Sequence, residues 1–192
     1  MEELYNETFT KKDYTQNPLP KGEYEQCTFD GCNFSEADLT GCVFLECEFK
    51  GCNLSLAKLS NTAFREVTFK DCKMLGLRFD QCSKFLFQLS TDNCNCNSAS
   101  FFQTKLTKTS FKNTQFQEAD FSECDLSSTL FDHCDFSNAT FDHTTLEKAD
   151  LRTSFNYSLD PERNRIQQAR FSLYGLPGLL GKYNIEVDEP GS

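Results

Sequence analysis

Eleven cysteines, two histidines and one dense run of carboxylates are the side chains of this sequence that could do chemistry. Thiols can ligate a metal, cross-link or cycle between redox states. A zinc site needs about four ligands, and Cys94 with Cys96 is a close pair lacking a second pair or a nearby histidine. An odd cysteine count and the absence of a secretory leader favour free, buried thiols acting as small apolar filler over disulfides. No activated nucleophile, glycine-rich phosphate loop or isolated acid pair stands out. The expectation is a non-enzyme with no metal and no cofactor. The carboxylates are Glu118, Asp120, Glu123, Asp125, Asp132, Asp135, Asp142, Glu147 and Asp150, which face a single Lys148 between Gln117 and Leu151. A net −8 in 35 residues is the one strong electrostatic signal, and its chemistry is attraction of a cationic partner surface.

These groups sit in a chain of 192 residues with 19 basic and 29 acidic side chains, a formal charge of −10 and a pI near 4.7. The length suits one domain. No run approaches the ~18 apolar residues of a membrane span, and Met1 to Phe9 has no basic segment leading into an apolar one, so a cytoplasmic protein without membrane contact is expected. The acidity argues against direct nucleic-acid binding, which relies on Lys and Arg to displace counterions.

The elements that must position the acids follow from a five-residue period. Large apolar residues recur at Tyr24, Phe29, Phe34, Leu39, Phe44, Phe49, Leu54, Leu59, Phe64, Phe69, Met74 and Phe79, and again every fifth position from Phe101 to Leu151. Two residues before nearly every one is a small residue; eight of the eleven cysteines take that place, and Cys82 takes it ahead of Lys84. Neither a helix nor a flat strand has this period. A chain that turns a corner every five residues does, and four such sides close a coil of 20 residues. Stacked coils then sit at roughly the 4.8 Å spacing of paired strands. Phe29, Phe49 and Phe69 should stack on one side, and Phe101, Phe121 and Phe141 on another. His133 and His143, half a coil apart, fall on opposite sides and can share no metal.

Phe79 to Phe101 spans 22 residues, so two extra residues break the phase between Gln81 and Ser100. Lys84 falls where a core residue is due, and Phe85, Leu86 and Phe87 are expected to turn inward to fill the space. The organisation expected is a single domain: an N-terminal cap (1–23), a first repeat block (24–79), a phase break (80–100), a second block (101–171) and a C-terminal capping and dimerisation segment (172–192). Within the last segment Leu176, Leu179, Leu180 and Tyr183 share a helical face, while Ile185 and Val187 alternate like a strand. Asp160-Pro161-Glu162 reads as a turn or helix start.

The unit of small, polar, large apolar, polar, polar, as in Cys-Asn-Phe-Ser-Glu (32–36) and Ala-Asp-Phe-Ser-Glu (119–123), resembles the pentapeptide-repeat family over about Tyr24 to Leu151. The resemblance implies an all-β fold, a right-handed quadrilateral β-helix, closed here by a short C-terminal helix or strand. The acidity, the phenylalanine ladders and the Leu179-Leu180, Tyr183, Ile185-x-Val187 terminus are most similar to the Qnr and MfpA group within that family. That similarity implies a rod that imitates duplex DNA, dimerises through its C-terminus and binds DNA gyrase or topoisomerase IV, with a link to quinolone resistance. Qnr proteins protect gyrase with loops projecting from the coils, whereas this chain has a two-residue excess between Phe79 and Phe101. The acids would be the partner-binding surface. The alternative is a rigid interaction scaffold for another partner, held through Lys105, Lys108 and Lys112 or through the Phe85–Asn97 bulge.

Overall fold

The structure, a computed structural model, describes residues 2–186. Its strands are short: β1 (Glu2–Tyr5), β2 (Thr8–Thr10), β3 (Gly22–Glu25), β4 (Thr28–Asp30), β5 (Val43–Leu45), β6 (Glu48–Lys50), β7 (Ala63–Arg65), β8 (Val67–Lys70), β9 (Leu89–Asp92), β10 (Ser110–Lys112) and β11 (Leu130–Asp132). They form two parallel sheets, one in the order β1-β3-β5-β7 and one running from β2 through β4, β6, β8, β9 and β10 to β11. The remaining two sides of each coil pair through single bridges such as Asn33 with Asn53 and Asp120 with Thr140. The result is the expected quadrilateral β-helix, a parallel solenoid of about seven turns. Residues 2–19 already form a coil, with Phe9 stacked on Phe29 and Tyr14 on Phe34.

Register explains the core. Phe29 pairs with Phe49 and Phe49 with Phe69, each 20 residues on. Their rings stack nearly parallel, with centroids 4.7 and 5.0 Å apart. Phe101 lies on Phe121 at 4.9 Å and Phe121 on Phe141 at 5.3 Å. Rings from neighbouring sides meet edge to face, as Phe116 does with Phe121. These are the two arrangements the aromatic quadrupole favours. All eleven cysteines are free and buried. Burial raises the Cys47 and Cys134 thiols to about 12, which keeps them protonated and inert at neutral pH.

The corner residue, two after each large one, is not singled out by the periodicity. It adopts the left-handed conformation at almost every turn, for example Glu46, Glu118, Glu123, Ser128 and His133. Gly31, Gly41, Gly51 and Gly76 occupy the same position, where glycine carries no steric penalty.

The two extra residues can be placed closely. Ser83 still donates its N–H to Thr62 in the 20-residue frame, while Val67 donates to Gln88 and pairs with Leu89 in a 22-residue frame. The insertion therefore lies within Lys84–Phe87. The expected inward turn of this segment is corrected: Phe85 and Leu86 are exposed, at 66% and 65%, and Phe87 alone packs partly against the core. A loop that must cross from one coil to the next with two surplus residues can bring back a single side chain at the right height. From Leu89 the inward phase resumes, with Thr91 in the position held by Phe69 and Phe111 in the neighbouring coils and Cys96 in that held by Met74 and Phe116.

Candidate partner-binding surface

Four of the nine acids, Asp120, Asp125, Asp135 and Asp150, have a local reason for their place. The residue before the large one points outward at the start of a corner. Asp120 accepts the Ser122 N–H at 2.9 Å, Asp125 that of Ser127 at 3.1 Å, and Asp135 that of Ser137 at 3.1 Å. Asn33 does the same for Ser35 and Asn53 for Ser55. This is the Asx turn, in which a short side-chain carbonyl oxygen holds the backbone two residues on. The turn needs the oxygen and not the charge, so the choice of aspartate over asparagine in this stretch is electrostatic.

The structure divides the acids into two groups. Asp142, Asp150 and Asp132 are held by neighbours. Asp142 meets Arg163 at 2.7 Å, Asp150 meets Arg152 at 2.8 Å and Arg170 at 3.3 Å, and Asp132 meets His133 at 2.7 Å. The Arg152 guanidinium beside Asp150 holds that carboxyl below its ordinary range, and the Thr153 hydroxyl followed by His133 does so for Asp132. Glu118, Asp120, Glu123, Asp125 and Asp135 make no ion pair among the described residues, nor does Glu147 one coil further on. Their contacts are neutral donors: Ser98 to Glu118 at 3.2 Å, Gln103 to Glu123 at 2.6 Å and Gln117 to Asp135 at 2.8 Å. Burial opposes ionisation of Asp135, but donors from Gln117, Asn156 and Ser137 outweigh it and leave its carboxyl below the usual range. The free acids occupy three sides of the rod, with Glu118 and Asp135 on one, Asp120 and Glu123 on the next, and Asp125 on the third. Arginines from 152 to 170 thus trim the C-terminal half of the collar, a redistribution that charge counting along the chain could not show.

The C-terminal segment docks on the last coil. Helix α1 (Pro177–Leu180) lies between two 3₁₀ turns, Leu173–Gly175 and Gly181–Tyr183. Leu159 donates to the Gly178 carbonyl at 3.0 Å, and Lys182 bridges Asp160 at 2.8 Å and Glu162 at 2.7 Å. Asp160 caps the turn as expected, accepting the Glu162 N–H at 2.9 Å. The predicted helical face is split. Leu179 is buried in its own chain, Leu180 is half-buried, and Leu176, Tyr183 and Ile185 are exposed. Ile185 is in no strand, and Val187 lies outside the described residues. Leu173 and Tyr174, exposed at 70% and 84%, extend the apolar patch; sequence reasoning misses them because they fall between the repeat phase and the helix.

His133 and His143 each contact only the adjacent aspartate, and no group of three or more His, Cys, Asp or Glu able to hold a metal occurs among the described residues. No helix among them is long and apolar enough to cross a membrane.

Fold and surface define a class: a parallel β-solenoid whose coils are built from five-residue units with variable, mostly polar outer positions. Family profiles agree. The one described as "Pentapeptide repeat region" matches residues 21–91, and the one described as "Pentapeptide repeats (8 copies)" matches 94–132 and 119–154. The chain belongs to the pentapeptide-repeat family. No curated protein sequence matches it. Among solved structures, the fold is similar to a trypsin-treated variant of QnrB1, a plasmid-mediated fluoroquinolone resistance protein, with a TM-score of 0.58 and 22% identity over 96% of this chain and 99% of that one. HetL from Nostoc sp. strain PCC 7120, a pentapeptide repeat protein involved in heterocyst differentiation regulation, matches with a TM-score of 0.48 and 16% identity over 88% of this chain and 84% of that one.

Proposed function

We propose that this chain is a non-enzymatic DNA mimic that binds a type II topoisomerase, DNA gyrase or topoisomerase IV, in the cytoplasm. The observation that carries the reading is the group of five unpaired carboxylates, Glu118, Asp120, Glu123, Asp125 and Asp135. They fall within one coil, roughly 4.8 Å of rod, where a duplex would present about three phosphates. Such a surface attracts the cationic saddle that normally receives DNA. Asp142 and Asp150 contribute less, since arginines already face them, and Asp132 is held by hydrogen bonds with Thr153 and His133. The similarity of the repeat and the terminal Leu179-Leu180, Tyr183, Ile185 motif to the Qnr and MfpA group supports the partner. The exposed patch of Leu173, Tyr174, Leu176, Tyr183 and Ile185, with the half-buried Leu180, is the proposed homodimer contact, with Leu179 acting from beneath it; Val187, which the sequence also nominates, lies outside the described residues.

The test is a gyrase supercoiling assay with purified protein. Inhibition is expected, weakening steeply as salt rises. The triple change Asp120→Asn, Asp125→Asn and Asp135→Asn keeps every Asx turn while removing three charges, so a correctly folded variant should inhibit at least about tenfold less well. Equal potency of this variant and the parent would sink the reading. Whether the same contact protects gyrase from a quinolone is read by adding the drug to that assay.

A further inference from the structure

The sheet β1-β3-β5-β7 stops at β7, because the next pass of the chain is the two-residue insertion. Instead of a fifth strand, that side of the rod has a notch of about 420 Å³. Arg65, Lys84, Leu86, Phe87, Lys105 and Lys108 line it, drawn from three successive coils with the 84–87 segment in the middle one. The single acid on its lining is Glu66. None of the four cations makes an ion pair among the described residues, although the chain as a whole carries −10. The Arg65 guanidinium lies 5.2 Å from the centre of the Phe85 ring, a cation–π contact. Its Nε is buried with no hydrogen-bond partner among the described residues, and a buried donor left unmet is costly. Phe85 and Leu86 stand out into solvent beside it. A solvated turn has no use for two adjacent large apolar residues, and a solubilising patch has no use for a concave wall.

We propose that this notch is a docking site for an acidic segment of a partner protein that carries an aromatic or aliphatic residue between its carboxylates. The apolar side chain seats against Leu86 and Phe87 under Phe85. The flanking carboxylates take the Arg65 guanidinium and the ammonium groups of Lys105 and Lys108. Charge complementarity selects an acid, and the apolar wall selects a polypeptide over an inorganic anion. A duplex is disfavoured because the acidic coils begin immediately beyond: Asp125 is the bridge partner of Lys105. This site is separate from the acidic collar and does not depend on topoisomerase binding.

Fluorescence anisotropy with the full chain and a fluorescein-labelled peptide Glu-Asp-Phe-Glu-Asp-Leu-Glu tests it. The control peptide has serine in place of Phe and Leu. Saturable binding of the first peptide is expected, with the serine peptide at least about tenfold weaker. Lys105 and Lys108 are exposed, so Lys105→Glu with Lys108→Glu leaves the fold intact by circular dichroism and weakens binding at least about tenfold. Phe85→Ser with Leu86→Ser removes the apolar half in the same way. Affinity unchanged in both double variants overturns the proposal, as does equal binding of the serine peptide. A labelled duplex oligonucleotide that binds more tightly than the peptide and is lost in the lysine variant would make the notch a nucleic-acid site instead. A fall in oligomer mass in the lysine variant would make the occupant a second copy of this chain.

Discussion

Arg163 reaches back one coil to place its guanidinium 2.7 Å from the Asp142 carboxylate. The pair lies on the side of the rod that also carries Asp120 and Glu123, so a cation from the segment after the repeats sets how negative that side is. Exposed ion pairs contribute about 0–1 kcal/mol to stability. Arg163→Gln should therefore leave the melting temperature within a few degrees while making this side more acidic. Under the DNA-mimic reading it inhibits supercoiling more strongly than the parent and with a steeper salt dependence. A dose-response at two salt concentrations measures this, and weaker inhibition by Arg163→Gln would argue that the side does not face the enzyme.

Thr91 occupies the column of Phe69 and Phe111, and its hydroxyl lies 2.7 Å from that of Thr114, which donates to the Lys112 carbonyl at 2.7 Å. The Thr91 hydroxyl must then be the donor between the two. Thr91→Val removes that proton and leaves the Thr114 oxygen unmet, at a cost of about 1–3 kcal/mol. Urea titration should show a lower midpoint with an unchanged slope.

The buried thiols make stability sensitive to alkali. Burial raises Cys47, Cys124 and Cys134 from an ordinary 9.0 to about 12. Between these values the unfolded chain releases protons that the folded chain keeps, so stability is intact below pH 9 and falls as pH rises toward 12. Each thiol costs about 1.4 kcal/mol per pH unit in that window. Cys47→Ala together with Cys134→Ala should flatten the decline seen by thermal melts across this range, even if the variant starts from a lower melting temperature.

The C-terminal segment depends on backbone contact. A β-carbon on Gly178 would come 2.0 Å from the Tyr157 carbonyl oxygen, and one on Gly175 would come within 1.6 Å of the Tyr157 hydroxyl. Gly178→Ala should therefore lift α1 away from the last coil, at about 1–3 kcal/mol. Faster proteolysis after residue 171 with the coils left intact is the expected outcome. Under the homodimer reading the same change also lowers the oligomer mass.

Much of the fold was legible because one rule of spacing governs it. Once Phe29, Phe49 and Phe69 recur at 20, strand pairing, ring stacking and the inward cysteines follow from the height of one coil. The rule says nothing where it lapses, and Lys84–Phe87 shows why: apolar character alone does not say which of three consecutive residues a loop can return to the core. The left-handed corners were also hidden, because Glu, Ser, Lys, His and Asn all occupy them and only four glycines mark the position.

The candidate surface was half legible. Asp120, Asp125 and Asp135 could be named from their place before the large residue, and their free charge is a matter of what lies 20 residues above and below. Asp150 takes the same place before Leu151 and Asp142 adjoins Phe141, yet Arg170 and Arg163 meet them across coils. The basic notch draws Arg65, Lys84, Lys105 and Lys108 from three successive coils. By itself, then, the sequence determined the periodic core, since burial acts on each residue's size and spacing. Only the tertiary structure decided which charges are paired across coils and which apolar residues face water, since those depend on distances between side chains that the chain order keeps 20 or more residues apart.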